Sequence, residues 1–448
     1  MEPSIELNDV VDVGALLDRA AWSAFQKFLT AIAAIAVVFD GFDIQVLGFT
    51  IPAMMADWHV SRASFGPILA IGLGAMAVGG PLAGYAGDRF GRRVALIGCV
   101  ALFGLGTIAT AFVHGLAGLT ALRIVAGIGT GGALPNATAL VAEFAPLSRR
   151  AVAVKLTIVC VPSGGMLGGF IATRLLPAFG WRSLYALGGI APLLLALLLL
   201  WLLPESPRFL ARRRELWPRL ETLLQRLGQS VPAGSMFADG TERMDTQRVS
   251  LRALFAPGLA GDTTGLWTGF FFSSTCIYLT FGWLPTLLAA RGLDLASSSS
   301  GLAVYNMGGV IGVLLWSAFI TRWGSHVPLL AGSLAGALSA IALLFLSSGT
   351  ADRFLLMACL GIVGLLTNAI QVSLFALSAH LYSTGVRATG VAYMTAAGRL
   401  GGVLSSLFGF ALIQAGGAFW YGYAIAMLCT FAGLFRVRRH IPAAQIQR

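Results

Sequence analysis

Charged residues are scarce in this chain, and apolar residues are abundant. Only 11% of the 448 residues are charged, whereas 57% are hydrophobic. A water-soluble protein of this length could not bury so many apolar side chains in one core. Apolar runs of about 20 residues recur with short polar breaks, and a helix of that length crosses the hydrocarbon of a bilayer at ~1.5 Å per residue. The sequence therefore predicts an all-α membrane protein.

Cysteine is also rare, and its positions exclude two common uses. The five cysteines fall within apolar runs, with neither metal-ligand spacing nor the pattern of an extracellular disulfide framework. We interpret them as small packing residues and predict no metal site. They are Cys99, Cys160, Cys276, Cys359 and Cys429.

Sequence motifs of several enzyme classes are missing as well. The chain has no His-Glu-x-x-His, no Gly-x-Ser-x-Gly and no stretch long enough for a soluble catalytic domain. Neither tail is long enough to form the output domain of a sensor. We therefore predict neither an enzyme nor a bound cofactor, and we keep an intramembrane enzyme or sensor only as an alternative.

Twelve of the apolar runs are long enough to cross a membrane. With both chain termini in the cytoplasm, most of the 30 lysines and arginines lie on the inner side, as the positive-inside rule requires. This orientation accounts for the net charge of +11 without a nucleic-acid partner. The runs span residues 28–50, 64–87, 94–113, 117–142, 151–175, 181–203, 259–290, 300–320, 327–348, 352–379, 386–415 and 418–435.

The longest polar stretch divides the twelve runs into two sets of six that share a repeat. The intervals Pro52–Arg89 and Pro285–Arg322 have the same length, a glycine follows each at the same offset, and EFAPLSRRAVAV aligns with HLYSTGVRATGVA. Duplicated halves of this kind place a site at their interface near the midplane. We predict a cytoplasmic segment at 1–27, a six-helix bundle at 28–203, a central cytoplasmic loop at 204–258 with an amphipathic helix (ELWPRLETLLQRLG), a second bundle at 259–436 and a cytoplasmic tail at 437–448. The leucine spacing is that of a helix along the inner membrane surface, and a basic linker held near anionic lipid is the interpretation we favour.

The loop after the second run reads GYAGDRFGRR and resembles the signature loop of the major facilitator superfamily. The long central loop, ALVAEFAPLSRR after the fourth run and LPESPRFL after the sixth are similar to that superfamily too. DGFDIQVLGFTIPAM in the first run, WLPTLL in the seventh, and TNAIQVSLFALSAHLYSTGVRATGVAYMTAAGRLGG across the tenth and eleventh resemble the aromatic acid:proton symporters. The resemblance implies the major facilitator fold, with two pseudo-symmetric six-helix bundles.

The same resemblance implies a function, namely proton-coupled uptake (symport) of a small aromatic carboxylate such as a benzoate or hydroxybenzoate by alternating access. The proton gradient would drive transport without a cofactor, and the carrier would act as a monomer in the bacterial cytoplasmic membrane. Exporters of organic anions or drugs and sugar porters share the fold, so they are the alternatives. The residues do not specify which aromatic acid is carried.

Four ionisable residues lie at membrane depth: Asp40, Asp43, Arg123 and Arg399. Each costs ~2.5–3.5 kcal/mol on insertion scales, so we expect them to face the bundle interior and to pair. Asp40 and Asp43 share one helix face because they are three residues apart. A rise of ~1.5 Å per residue places Asp43 and Arg123 at matching depths and Arg399 near the middle. A fixed ion pair that only holds helices together is the alternative to one that breaks during transport.

Among these four residues, only the aspartates can change charge, since arginine keeps its proton. We predict that Asp40 and Asp43 provide proton coupling, with the carrier of the proton left open between them, and that Arg123 and Arg399 bind the substrate carboxylate. Other polar and aromatic residues at similar depth could hold the ring, although each could equally be an ordinary interior or interface residue. They are Asn136, Tyr278, Trp283, Asn306 and Gln371.

Charged residues cluster at the cytoplasmic ends of the runs, where the resemblance implies gating ion pairs. Solvated surface charges are the alternative. The second half departs from the family pattern, because Thr321, His380 and Ser383 stand where the resemblance leads us to expect an aspartate, an acid and a proline. The predicted gating residues are Asp88, Arg89, Arg92, Glu143, Arg149, Arg150, Glu205, Arg208, Arg322 and Arg387.

Two glycine clusters lie inside apolar runs. GIGTGG, with Gly127, Gly129 and Gly132, is close to a dinucleotide-binding loop but lacks the strand that such a loop must follow. PSGGMLGGF in the fifth run only partly resembles the Gly-Pro element of proton antiporters. We predict that both clusters allow helices to pack closely.

Overall fold

The computed structural model describes residues 10–232, 235–240, 251–346, 353–382 and 384–443. Ser383 and parts of the predicted terminal segments and central loop lie outside the described residues. The described chain is mainly helical, as predicted. A helix satisfies all backbone hydrogen bonds within one segment, which is what a chain that crosses hydrocarbon requires.

The first half consists of six long helices. A short helix, α1 (Val13–Arg19), precedes them, and strand β1 (Val10–Asp12) pairs in parallel with β2 (Met236–Ala238) of the central loop. The six helices are α2 (Ala24–Trp58), α3 (Phe65–Phe90), α4 (Arg92–Thr110), α5 (Leu116–Phe144), α6 (Leu147–Phe179) and α7 (Trp181–Leu202).

The central loop contains two further helices, α8 (Pro207–Ala211) and α9 (Trp217–Arg226). The predicted amphipathic helix is α9. Its apolar face, formed by Leu220, Leu223 and Leu224, is buried in the hydrophobic core of the first half. The protein itself therefore covers the leucines, which a helix lying with its apolar face along lipid would leave exposed.

The second half consists of another six long helices, so that twelve helices of the described chain are long and apolar enough to span a membrane. This confirms the predicted number and the fold class. The six helices are α10 (Ala260–Ala290), α11 (Leu295–Trp323), α12 (His326–Leu346), α13 (Arg353–Leu381), α14 (Thr384–Gln414) and α15 (Ala418–Arg436).

The internal repeat predicted from the sequence reappears in the local geometry of the halves. Gly91 ends α3 with φ 104°, and Gly324 ends α11 with φ 75°, a backbone region that favours glycine. Each glycine amide donates to a carbonyl one turn earlier, on Gly87 at 3.0 Å and on Ile320 at 2.8 Å. The two halves therefore turn from one helix into the next in the same way.

Glycines bring the helices of each half close together, as predicted. A Cβ on Gly127 of α5 would lie 2.6 Å from the carbonyl oxygen of Gly72 in α3. A Cβ on Gly129 would lie 2.6 Å from the amide nitrogen of Phe103 in α4. Neither position has room for a side chain, so α5 packs directly on the backbones of α3 and α4.

The two halves meet through α2 with α10, α3 with α14, and α6 with α11. A Cβ on Gly66 of α3 would lie 3.1 Å from the carbonyl oxygen of Ser406, and Gly48 leaves no room for a side chain against Phe281. We call the end where α2 begins and α15 ends the termini end, and the opposite end the far end. These contacts lie beyond the midpoints of α2, α3 and α14 toward the far end, so the halves are closed against each other there.

Candidate functional site

Asp40 and Asp43 lie near the middle of α2, and both are buried, with 1% and 0% of their surface exposed. Because they are three residues apart, they project from one face of the helix. A buried carboxylate needs a partner, since leaving an unpaired charge in apolar surroundings is strongly unfavourable. The structure provides partners from both halves of the protein.

Asp43 interacts with two other helices of the first half. The guanidinium Nη1 of Arg123 on α5 lies 3.6 Å from Asp43 Oδ2 and donates to the Asp43 carbonyl oxygen at 3.4 Å. The hydroxyl of Thr107 on α4 donates to Asp43 Oδ1. The structure thus brings together the two residues that helical rise placed at one depth, and it adds Thr107, which the sequence reasoning missed.

Asp40 lies within electrostatic range of residues in both halves. One of its oxygens, Oδ1, has no hydrogen-bond partner among the described residues. Asp40 lies within electrostatic range of Asp43 and of Arg399 on α14. Arg399 extends across to the first half, where a Cβ on Gly80 of α3 would lie 3.1 Å from its Nη1. Two buried carboxylates are therefore flanked by one arginine from each half.

Two further predicted residues, Tyr278 and Gln371, belong to the second half. Tyr278 on α10 lies within electrostatic range of Arg399 and Asp40. Gln371 on α13 donates its Nε2 to Ser274 at 2.9 Å, and its Oε1 has no partner among the described residues. A Cβ on Gly398, the residue before Arg399, would lie 2.5 Å from Ser274 Oγ, so Ser274 links Gln371 to this part of α14.

Asn306 forms a contact between the halves that was not predicted. Its Nδ2 donates to Oε1 of Gln45 at 2.7 Å, and Gln45 Nε2 lies 3.4 Å from Asn306 Oδ1. Both side chains are fully buried, and Gln45 sits over Gly165 of α6, where a Cβ would clash with its amide. A reciprocal amide pair therefore joins α2 of the first half to α11 of the second half.

Asn136 and Trp283 do not join this group. Asn136 donates its Nδ2 to the carbonyl oxygens of Ala83 at 3.2 Å and Gly132 at 2.9 Å, so it ties α5 to α3. Trp283 is fully buried and donates its Nε1 to Ser406 at 3.2 Å, between α10 and α14. Asn136 thus lies toward the termini end and Trp283 toward the far end, on either side of the depth of the aspartates, and we leave both residues out of the proposed site.

The predicted gating residues of the signature loop form a network at the termini end of the first half. Asp88 pairs with Arg92 at 2.5 Å, and Arg92 Nε lies 3.7 Å from Glu143 Oε1. Ser206 donates its hydroxyl to Glu143. Glu205 accepts a hydrogen bond from the backbone amide of residue 93 at 3.0 Å, and burial raises the pKa of its carboxyl group.

A second set of ion pairs in the same region involves a residue that the sequence reasoning missed. Asp18 of α1 pairs with Arg150 and lies 3.7 Å from Arg208. Arg89 donates to the Tyr85 hydroxyl at 2.9 Å. The pairs formed by Asp88, Arg92, Glu143 and Arg150 thus lie within the first half. Arg149 is exposed, Arg322 lies over the ring of Trp323, and Arg387 donates to the carbonyl oxygen of Tyr382.

The sequence profile of the Major Facilitator Superfamily matches residues 33–406. A gallate transporter of Pseudomonas putida is 34% identical over 95% of this chain and 92% of its own length. The 4-hydroxybenzoate transporter PcaK of Acinetobacter baylyi is 34% identical over 90% of this chain and 88% of its own length. A benzoate transport protein of the same species is 28% identical over 89% and 85%.

Solved structures with the same fold include the xylose transporter XylE from E. coli in a partially occluded inward-open conformation. It aligns with a TM-score of 0.74 over 93% of this chain and 99% of its own, at 18% sequence identity. At that identity the similarity establishes the arrangement of helices and nothing about the transported molecule.

Proposed function

The chain belongs to the Major Facilitator Superfamily, and we propose that it takes up an aromatic carboxylate together with protons across a bacterial cytoplasmic membrane. One observation carries the proposal: Asp40 and Asp43 are buried side by side and flanked by Arg123 and Arg399, one arginine from each half. Relatives named as gallate and 4-hydroxybenzoate transporters support an aromatic acid as the substrate.

The four charges have complementary capacities. A buried aspartate can gain or lose its proton, whereas an arginine stays charged and presents a planar fork that fits a carboxylate. Protonation of Asp43 removes its attraction for Arg123, which lies only 3.6 Å away. The substrate carboxylate then takes the place of the aspartate beside Arg123, or binds between Arg123 and Arg399.

Arg399 and Arg123 come from opposite halves, which couples substrate binding to movement of the halves. A carboxylate that binds both arginines draws the two halves together around the site, and its release lets them separate. This is how a charge-paired site at the boundary of two bundles supports alternating access. Gln371 and Tyr278 supply polar atoms for the rest of the substrate.

Energetics also favour proton coupling. We place both termini in the cytoplasm, following the distribution of basic residues. Moving an anion inward against a negative interior then costs ~2.3 kcal/mol per 100 mV, and one proton carried with it cancels that cost. With this orientation the closed far end faces the periplasm, so the conformation described above corresponds to the inward-facing state. We propose that the carrier acts as a monomer.

Transport into liposomes with an imposed proton gradient tests the proposal. We expect wild-type protein to accumulate labelled 4-hydroxybenzoate unchanged and to admit protons only when substrate is present. Asp43→Asn should lose accumulation. Asp57→Asn is the matched control, because Asp57 is a partly exposed carboxylate near the end of α2 that pairs with Arg182 at 3.0 Å.

Two results would contradict the proposal. Accumulation by Asp43→Asn in proportion to the proton gradient would show that Asp43 is not a required coupling site. The same result for Asp40→Asn would show this for Asp40. Release of a modified product would show an enzyme instead of a carrier. Competition by a panel of aromatic acids, aliphatic acids and sugars would define the substrate class.

A further inference from the structure

Each half has an arginine at the same position of the repeat. The two arginines have the same local geometry but different surroundings. Arg150 of the first half donates to the carbonyl oxygen of Ala145 at 3.3 Å, five residues earlier. Arg387 of the second half donates to the carbonyl oxygen of Tyr382, also five residues earlier and also at 3.3 Å. Both arginines lie at the termini end, where one long helix of each half turns into the next. The repeat therefore makes the two sites directly comparable.

In the first half, the protein supplies its own anion for this arginine. The carboxylate of Asp18 accepts from Arg150 and lies 3.7 Å from Arg208. Asp18 is held in place by α1, which is anchored by the buried side chains of Val13 and Leu17. A basic site at the surface of the first bundle is thus filled by a carboxylate from a neighbouring segment.

In the second half, the equivalent arginine borders an open cavity of about 730 Å³. Arg438, Arg439 and His380 also line it, and none of the described lining residues carries a carboxylate. Asp262, which contacts two of these arginines, is 3% exposed and is already paired, since it lies 3.6 Å from Arg439 Nε and accepts from the backbone amide of Arg438 at 2.6 Å. His380 aligns with Glu143, so the second half also lacks the acid that the first half has at that position.

We propose that this cavity binds the phosphate group of an anionic membrane phospholipid. Arg387 and Arg438 offer two guanidinium groups that form no ion pair among the described residues, and guanidinium forks match the oxygens of a phosphate. In the second half, the lipid phosphate takes the role that Asp18 plays in the first half.

The position of the cavity favours a lipid over a soluble anion. Arg387 lies near the beginning of α14, and Arg438 lies two residues beyond the end of α15. The ends of membrane-spanning helices lie at the level of the headgroups, where basic clefts attract anionic lipids. The wall of the cavity also includes Leu259, Leu381 and Pro442, which give the glycerol part of a lipid an apolar surface.

The test measures lipid retention by the full-length protein with native mass spectrometry, using phosphatidylglycerol and phosphatidylcholine as probes. We expect wild-type protein to retain phosphatidylglycerol preferentially, and Arg387→Gln/Arg438→Gln to bind it on the order of tenfold more weakly. Arg149→Gln/Arg322→Gln is the matched control, because it removes two exposed arginines at the same end of the molecule. This control should retain the lipid as the wild type does.

A second variant keeps both arginines and supplies the missing acid. In His380→Glu, the new carboxylate occupies the position of Glu143 and should displace the lipid, so weaker retention is expected although no arginine has been removed. The proposal would be overturned if Arg387→Gln/Arg438→Gln and its control lost phosphatidylglycerol equally. It would also be overturned if His380→Glu retained the lipid as fully as the wild type. Displacement of the lipid by millimolar inorganic phosphate would assign the cavity to a free anion instead, and it would overturn the lipid assignment. The outcome does not depend on which substrate is transported.

Discussion

Gln45 and Asn306 exchange amide hydrogen bonds across the boundary between the two six-helix halves. The shorter bond measures 2.7 Å, and both side chains are fully buried. In the alternating-access cycle that we propose, the halves separate at the far end, so this buried polar pair between α2 and α11 must break, move or become hydrated. Leaving a buried amide without a partner costs ~1–3 kcal/mol, which makes this pair a determinant of how readily the halves separate.

The amide pair gives a first prediction. Gln45→Leu and Asn306→Leu should each lower the free energy of unfolding by ~1–3 kcal/mol, because each takes away the cross-boundary partner of the other buried amide. The remaining amide keeps only a bond within its own helix, from Gln45 to the Gly41 carbonyl at 3.3 Å or from Asn306 to the Leu302 carbonyl at 2.9 Å. The double variant should lose less than the sum of the two, since it removes both polar groups together. Thermal-shift measurements on all four proteins test the coupling. Losses that simply add would show that the two amides do not stabilise each other.

A second prediction separates a breakable ion pair from a fixed one. Arg123→Gln alone should destabilise the protein by ~3–5 kcal/mol, because it leaves Asp43 buried opposite a neutral group. Combining it with Asp43→Asn should restore stability, since no charge then remains unpaired. We expect the double variant to express and fold but to lose proton-driven uptake. Recovery of uptake together with stability would identify the pair as a purely structural contact.

Helical geometry explains how much of the site could be predicted from the sequence. The rise of ~1.5 Å per residue is nearly constant, so the depth of Asp43 and Arg123 could be calculated, and the structure brings the two together. The direction of a side chain around its helix depends on how the helices pack, which sequence alone does not specify. The approximate spans read from the sequence place Asn136 and Trp283 at similar depth, but in the structure Asn136 lies toward the termini end and Trp283 toward the far end. Each donates to a backbone carbonyl there, on Gly132 and on Ser406.

Packing also explains the residues that sequence reasoning missed. Gln45 lies two residues after Asp43 in the same apolar run, but its partner is 261 positions away, and only the repeat hinted that the halves meet there. Asp18 belongs to an N-terminal segment that mixes polar and apolar residues. Nothing in its sequence predicted that its short helix would bring Asp18 to Arg150. The number of spanning helices was predictable because hydropathy and length alone decide it.

The close approach of Arg399 to Gly80 gives a third prediction. A Cβ on Gly80 would lie 3.1 Å from Arg399 Nη1 and 3.2 Å from the carbonyl oxygen of Gly131, so Gly80→Val should displace the guanidinium. We expect a raised KM for the aromatic acid with little change in expression. Gly74→Ala on the same helix is the matched control, because nothing lies within 4 Å of that position. An unchanged KM in Gly80→Val would exclude Arg399 from substrate binding.

The last prediction concerns the segment that follows α15 at the termini end. Ile441 donates its amide to Ser325 Oγ at 2.8 Å, Ser325 donates its amide to the Ile441 carbonyl at 2.9 Å, and the ring of His440 lies 4.6 Å from that of His326. Burial lowers the pKa of His440, and His326 lowers it further. Folding therefore favours the neutral ring, and the stability that His440 contributes is present above its unfolded pKa of ~6.5 and is lost as the pH falls below that value.

Hydrogen exchange at the Ile441 amide, corrected for intrinsic rates, checks this prediction. Between about pH 7.5 and about pH 5.5, protection should fall in the wild type as His440 gains a proton. His440→Gln keeps a polar side chain but cannot titrate, so its protection should change little over the same range. An equal fall in both proteins would assign the pH dependence to another group, such as His326 or Asp262, both of which act on this ring.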